Sequence, residues 1–286
     1  MALREELSGI EFRHLRYFAA VADAGTVTAA ARRLRIAQPS LSQQIRALER
    51  RVGVPLFDRS PKGMALTEAG WTLLAAGRRA EEELRTSLAD IRGAVPTVRV
   101  GVCAGVPQSV LAAAEQLLTR ERPLQPAYQS LESHRQAELL SSGRLDFGIL
   151  RPPIDDQRLV MRILSDEPLG VVLSCDHPLA AHTELTWSDL AQQGLLWFPH
   201  TRAPDYAATV LTELATNGWR PATVPAEPNH TLFRHALLGG DHLVALRPRA
   251  AVAADTALAW LPVGPNPPRE RLVLAAAAAP WTRLLG

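Results

Sequence analysis

Residues 12–70 read FRHLRYFAAVADAGTVTAAARRLRIAQPSLSQQIRALERRVGVPLFDRSPKGMALTEAG, and this stretch decides the fold. Phe12, Leu15, Phe18 and Val21 fall at helical spacing, and Gly25 ends that helix. Thr26 is placed to cap a second helix, with Val27, Ala30, Ala31 and Leu34 on one side. In QPSLSQQIRALERRVG, Leu41, Ile45, Leu48 and Val52 form a single apolar stripe. The opposite face carries Pro39, Gln43, Arg46 and Arg50, flanked by Ser42. Pro39 is tolerated because it sits in the first turn. Two helices joined by a tight turn, the second with an Arg/Gln/Ser face, make a helix-turn-helix. Gln can read adenine, Arg can read guanine, and Ser can take either role or grip phosphate. VPLFDRSPKGMALT then reads as two short strands about a Ser60–Gly63 turn of type I chemistry. That hairpin is a wing, and its tip carries Arg59 and Lys62 toward phosphates or a minor groove. The expected DNA-contacting set is Thr28, Gln38, Pro39, Ser40, Ser42, Gln43, Arg46, Arg59 and Lys62.

Charge agrees with this placement. Between Ile10 and Leu66 there are ten Lys and Arg against four Asp and Glu, a local balance of +6, whereas the whole chain of 286 residues carries +2. Lys62 is its only lysine. A positive excess confined to the first fifth of the chain points to a polyanion partner.

The same residues carry a family resemblance. LRYF, the A-A-x-x-L of the first motif helix, QPSLSQQI, GVPLF and LTEAG look like the winged helix-turn-helix of LysR-type transcriptional regulators. One departure is Ala37, where the family usually has a serine that would cap the recognition helix.

Downstream, Leu66, Gly70, Leu73, Gly77, Ala80, Leu84, Leu88 and Ile91 follow a near-heptad seam. At 1.5 Å per residue the segment forms a rod of roughly 36 Å. A helix with so long an apolar stripe wants a partner; the resemblance implies that it pairs two subunits. Leu66, Leu73, Ala80, Leu84, Leu88 and Ile91 are the expected dimerisation residues of a homodimer or homotetramer.

Gly93 and Pro96 mark a boundary. Beyond it, β-like runs at 98–102, 127–131, 146–150, 195–199 and 242–246 alternate with helical stretches from Gln108, near His134, from Tyr206 and from Thr231. These are βαβ units, which predict mainly parallel sheets in two α/β halves with a cleft at the strand ends. The resemblance implies a two-lobed, periplasmic-binding-protein-like effector domain. ELLSSGRLDFGI (138–149) and DHPL (176–179) match it. The expected organisation is α+β multidomain: 10–67 winged helix-turn-helix, 68–93 linker helix, and 98–286 effector-binding domain. Lobe one spans about 98–170 and 273–286, and lobe two about 171–272.

Strand ends nominate Cys103, Ala104, Gly105, Ser133, Phe198, Pro199, His200, Thr201, Arg202 and Thr231 as effector contacts. His200, Thr201 and Arg202 could together grip a carboxylate, and Trp197 lies beside them. The family's loops at these positions often bind a small acid, so the resemblance implies a small organic anion. Two departures stand out: Asp241 and His242 replace a glycine-containing turn, and APWTRLLG replaces a longer final helix.

Other functions find little support. There is no GxSxG elbow, P-loop or GxGxxG after a strand, so an enzyme is not expected. Cys103 and Cys175 read as buried structural thiols, and the histidines form no metal-ligand cluster, so no cofactor or metal is expected. No apolar run is long enough to span a membrane, and MALREELSGIEFRH contains no secretory h-region. A cytoplasmic regulator acting on double-stranded operator DNA and RNA polymerase is the expectation. The rival is a solute-binding or interaction protein without DNA function.

Overall fold

The computed structural model describes residues 9–60, 63–226, 230–240, 242–277 and 281–285. The chain divides into two compact units, Met1–Ala94 and Val95–Gly286.

The first unit contains helices α1 (Phe12–Ala24), α2 (Val27–Leu34) and α3 (Gln38–Val52), a hairpin β1 (Phe57–Ser60) and β2 (Gly63–Leu66), and the long helix α4 (Glu68–Ile91). Its core is the stripe read from sequence: Phe18, Val21, Ala30, Leu41, Ile45 and Leu48 are buried, with Leu56, Phe57 and Leu74 closing it. The Phe18 and Phe57 rings sit 5.1 Å apart at 56°, a tilted pair that ties α1 to the hairpin. Gly25 ends α1 in the left-handed region. The Thr26 hydroxyl accepts from the Ala29 N–H at 3.2 Å and caps α2. Ala37 stands at the start of α3 with no side-chain cap. Met64 N–H donates to the Gly25 carbonyl at 2.9 Å, so the wing is strapped to the turn of the motif. A Cβ on Gly63 would lie 2.9 Å from that same oxygen, which is why glycine stands there.

His14 is the one buried histidine of this unit. Its Nδ1 accepts from the Glu11 N–H at 2.9 Å, and an Arg51 nitrogen stands 3.1 Å from Nε2. Burial lowers its pKa from 6.5, and the Arg51 charge lowers it further. The neutral ring is therefore favoured by folding. Its stabilisation is present above pH 6.5 and is lost as pH falls through the depressed folded value. The melting temperature of residues 9–94 within the full chain should drop on acidification below 6.5, and His14→Asn should flatten that dependence. An unchanged acid slope in the variant would assign the dependence elsewhere.

α4 divides the seam in two. Leu66 lies in β2, before the helix, and packs with Leu73 on the unit's own core. Gly77 lies against Leu15 of α1, and Arg78 pairs with Asp23 at 2.6 Å. Of the expected dimerisation stripe, Leu66 and Leu73 are half-buried against the subunit's own core. Ala80, Leu84, Leu88 and Ile91 remain exposed on this chain, Ile91 at 80%.

The second unit has two lobes. Lobe one contains β3 (Thr97–Val102), α5 (Gln108–Thr119), β4 (Gln125–Ser130), α6 (Ser133–Ser141), β5 (Phe147–Leu150) and β6 (Val160–Pro168). Lobe two contains β7 (Gly170–Ser174), β8 (Leu185–Thr186), β9 (Gly194–Trp197), α7 (Pro204–Thr216), β10 (Thr223–Pro225), α8 (His230–Leu238), β11 (Leu243–Arg247), β12 (Leu258–Leu261) and β13 (Val263–Gly264). The final strand β14 (Arg269–Ala276) returns to lobe one, starting four residues before the expected 273. The sheet orders are β4-β3-β5-β14-β6 and β10-β9-β11-β7-β12.

In each sheet three strands are parallel, as the βαβ pattern requires, and the other two are antiparallel to their neighbours. The antiparallel pair exists because the chain crosses between lobes twice, at 168–170 and at 268–269. Leu169 N–H donates to the Pro268 carbonyl at 2.8 Å and binds the two crossings side by side. Trp281–Leu285 form a 3-10 turn, with the Trp281 ring 5.3 Å from Phe147 in the lobe-one core.

Candidate functional site

Two sites emerge, one in each unit. In the first, the buried stripe of α3 fixes what its other side presents. Because Leu41, Ile45 and Leu48 are buried, Gln38, Pro39, Ser40, Gln43 and Arg46 are exposed, and Ser42 is half-buried at the edge. Thr28, at the start of α2, is exposed as well. Arg32, Arg33 and Arg35 extend the basic surface from α2, a contribution the motif spacing did not single out. Arg59 lies in β1 at the wing, while Lys62 falls outside the described residues. A helix with a buried stripe and a Gln/Ser/Arg outer face fits a major groove.

The second site is a cavity of about 530 Å³ between the lobes of the second unit. That is the size of an ordinary small-molecule site. Cys103, Ala104, Gly105, Ser133, Phe198 and Arg202 line it together, from strand and loop ends of both lobes. Pro199, His200, Thr201 and Thr231 are not among its lining residues. The reason is local: His200–Arg202 is a single 3-10 turn, so Arg202 faces in while His200 and Thr201 are exposed. The three-residue carboxylate grip is therefore reduced to Arg202, which stands 3.9 Å from Glu132. Thr231 is exposed, as is His242, which does not line the cavity; Asp241 and Asn229 fall outside the described residues.

The cavity floor was missed in sequence. Arg151 donates from Nε to Glu270 at 2.8 Å, and from one NH to the Ala104 carbonyl at 2.8 Å and to the Cys103 sulfur at 3.2 Å. The Ser133 hydroxyl accepts from the Arg151 backbone N–H at 3.2 Å. Burial alone would lower the Arg151 pKa, but Cys103 and Glu270 lift it above its ordinary value. Burial pushes the Cys103 thiol up despite Arg151, which makes it a poor nucleophile. Cys175, expected to be buried, is exposed at the end of β7. Arg247 enters from the end of β11, with its guanidinium 4.9 Å from the Phe233 ring centre. The strand-end rule could have found Arg151 and Arg247, since each directly follows or closes an apolar strand. Glu270 has no such signal, because it arrives on the returning strand. Trp197 is buried behind Phe198, with ring centres 4.6 Å apart. Among the described residues, no group of His, Cys, Asp and Glu could hold a metal ion, and no helix is long and apolar enough to cross a membrane.

With both sites described, the chain can be compared with known proteins. The family described as "Bacterial regulatory helix-turn-helix protein, lysR family" matches residues 12–71, and "LysR substrate binding domain" matches residues 92–280. The Hca operon transcriptional activator HcaR of Escherichia coli (strain K12) is 40% identical over 63% of this chain and 62% of its own length, so the alignment spans less than two thirds of that relative. The regulator CatR of Pseudomonas putida is 33% identical over 73% of each chain. A point variant of full-length OxyR from Pseudomonas aeruginosa shares the fold with a TM-score of 0.67 at 22% identity, covering 96% of this chain and 91% of that one. Full-length CbnR in complex with its target DNA does so with a TM-score of 0.60 at 24% identity, covering 96% of each.

Proposed function

The chain belongs to the LysR family of bacterial transcriptional regulators, and from that membership we propose that it reads an operator with α3 and tunes transcription through a ligand held in the interlobe cavity. One observation carries the reading: the Gln43/Arg46 face lies opposite the buried Leu41/Ile45/Leu48 stripe. Gln38, Pro39, Ser40, Ser42 and Thr28 border that face, and Arg59 and Lys62 of the wing grip the flanking backbone. The assembly is a homodimer or homotetramer built on Ala80, Leu84, Leu88 and Ile91, and its DNA site is pseudo-palindromic. The effector is a small organic anion, held in the interlobe cavity that Arg202, Ser133 and the glycine-containing turn at Cys103–Gly105 help to line. The protein works in the cytoplasm alongside RNA polymerase. Regulation is linkage: the effector shifts the DNA-bound arrangement by its differential affinity for two states of the oligomer.

The wing gives a separable test. Arg59→Ala and Lys62→Ala should weaken binding to all sequences alike and reduce the slope of log affinity against log salt by about one unit each. A changed sequence preference with an unchanged slope would contradict a phosphate role. The proposal as a whole is tested by sequencing DNA that the full chain retains from genomic fragments. Enrichment of a common site supports it, and retention without enrichment supports an interaction protein without DNA function.

A further inference from the structure

Among the described residues, the charges around the cavity do not balance. Three guanidiniums border it, from Arg151, Arg202 and Arg247, against the two carboxylates of Glu132 and Glu270. Arg151 and Glu270 are almost fully buried and bonded to each other at 2.8 Å, so they cancel. Arg202 and Glu132 face each other more loosely at 3.9 Å, with Glu132 half exposed. Arg247 has no carboxylate partner among the described residues. Its guanidinium lies on the Phe233 ring, and a ring face supplies only part of what water would. Burial lowers its pKa, and Arg151 adds to that effect while Glu270 opposes it.

An arginine nonetheless stays protonated, so among the described residues the cavity wall carries a half-buried cation that no carboxylate pairs directly. The position is also held firmly. Trp260 Nε1 donates to the Arg247 carbonyl at 2.9 Å, and the Trp260 ring packs on Gly170 so closely that a Cβ there would lie 2.3 Å from it. The walls between the charges are apolar, with Phe198 and Phe233 from lobe two and Leu131 and Val106 from lobe one.

We propose that Arg247 is the anion anchor of the cavity, and that Glu270, by occupying Arg151, limits the ligand to a single negative charge on an apolar body of ring or short-chain size. The ligand class is thus an apolar monocarboxylate. Its carboxylate gives Arg247 a charge-assisted partner, and its body replaces water against the two phenylalanines. A second carboxylate would meet Glu270 or Glu132. This rests on the reading of the cavity as the effector site.

The test uses the full chain and two matched probe sets: phenylacetamide, phenylacetate and phenylmalonate, and hexanamide, hexanoate and adipate. Wild type should bind the monoanion of at least one set more tightly than its amide and its dianion, on the order of tenfold. Arg247→Gln should lose that preference and keep the amide affinity, and Arg247→Lys should recover part of it. Glu270→Gln frees Arg151 and should move the preference toward the dianion. DNA binding by each variant checks folding, and if Glu270→Gln does not fold, the Arg247 pair decides. Equal binding of acid and amide by wild type, or an unchanged acid affinity in Arg247→Gln, overturns the charge assignment and leaves the cavity reading standing. Binding of no probe overturns both.

Discussion

Arg46→Ala and Gln43→Ala should each weaken binding to the selected operator by about 1–3 kcal/mol, roughly 5- to 150-fold, and relax base preference at one position of each half-site. Both side chains are exposed on α3, and neither supports the core that Leu41, Ile45 and Leu48 build. Truncation should therefore leave the melting temperature nearly unchanged. The loss should be confined to specific sites, because random DNA is held mainly through phosphates. Competition with random fragments separates the two: equal loss on both kinds of DNA would mean that this face does not read bases.

Leu84→Glu should release monomers and, with them, most of the operator affinity. Leu84 is 49% exposed on this chain and sits among Ala80, Leu88 and Ile91 on the outer half of α4. A carboxylate placed in an apolar seam loses its water without gaining a partner. Once the subunits part, the two half-sites no longer share one binding event, and a gain of about 10²–10⁴ from linkage disappears. Leu73→Glu makes a pointed comparison, because Leu73 packs on the subunit's own core. That variant should unfold the first unit rather than dissociate it. Sedimentation reads the outcome: a folded monomer for Leu84→Glu and an associated wild type at micromolar concentration support the seam, and a wild-type monomer removes it.

The first unit was legible because its signals are local. A helical stripe, a glycine stop and a threonine cap each lie within a few residues, and Gly25, Thr26 and the Leu41/Ile45/Leu48 stripe do what their spacing implies. The division of the α4 seam was not legible, since periodicity marks an apolar face without saying what covers it. The packing of Leu73 on the core and of Gly77 on Leu15, with the Arg78–Asp23 pair, separates the inner half from the outer. In the second unit β3, β5, β9 and β11 carried apolar runs that sequence could find. β6 did not, because it is an edge strand of mixed faces, and β14 places the charged start Arg269–Glu270–Arg271 before its apolar run Leu272–Ala276. The same blindness hid the cavity floor: Arg151 and Glu270 are 119 residues apart in sequence and meet only when the chain returns from lobe two. His200 and Thr201 lie outside the cavity lining for the opposite reason, since proximity in sequence to Arg202 does not survive a 3-10 turn.

The most direct measurement of the central claim is the ratio of specific to random DNA affinity for the full chain, taken at one fixed salt concentration on fragments it has itself selected. A regulator that reads bases through α3 should give a ratio of about 10³ or more, on a site with two-fold symmetry, and Arg46→Ala should lower it by at least about fivefold. A ratio near one, unchanged by Arg46→Ala, would contradict the account.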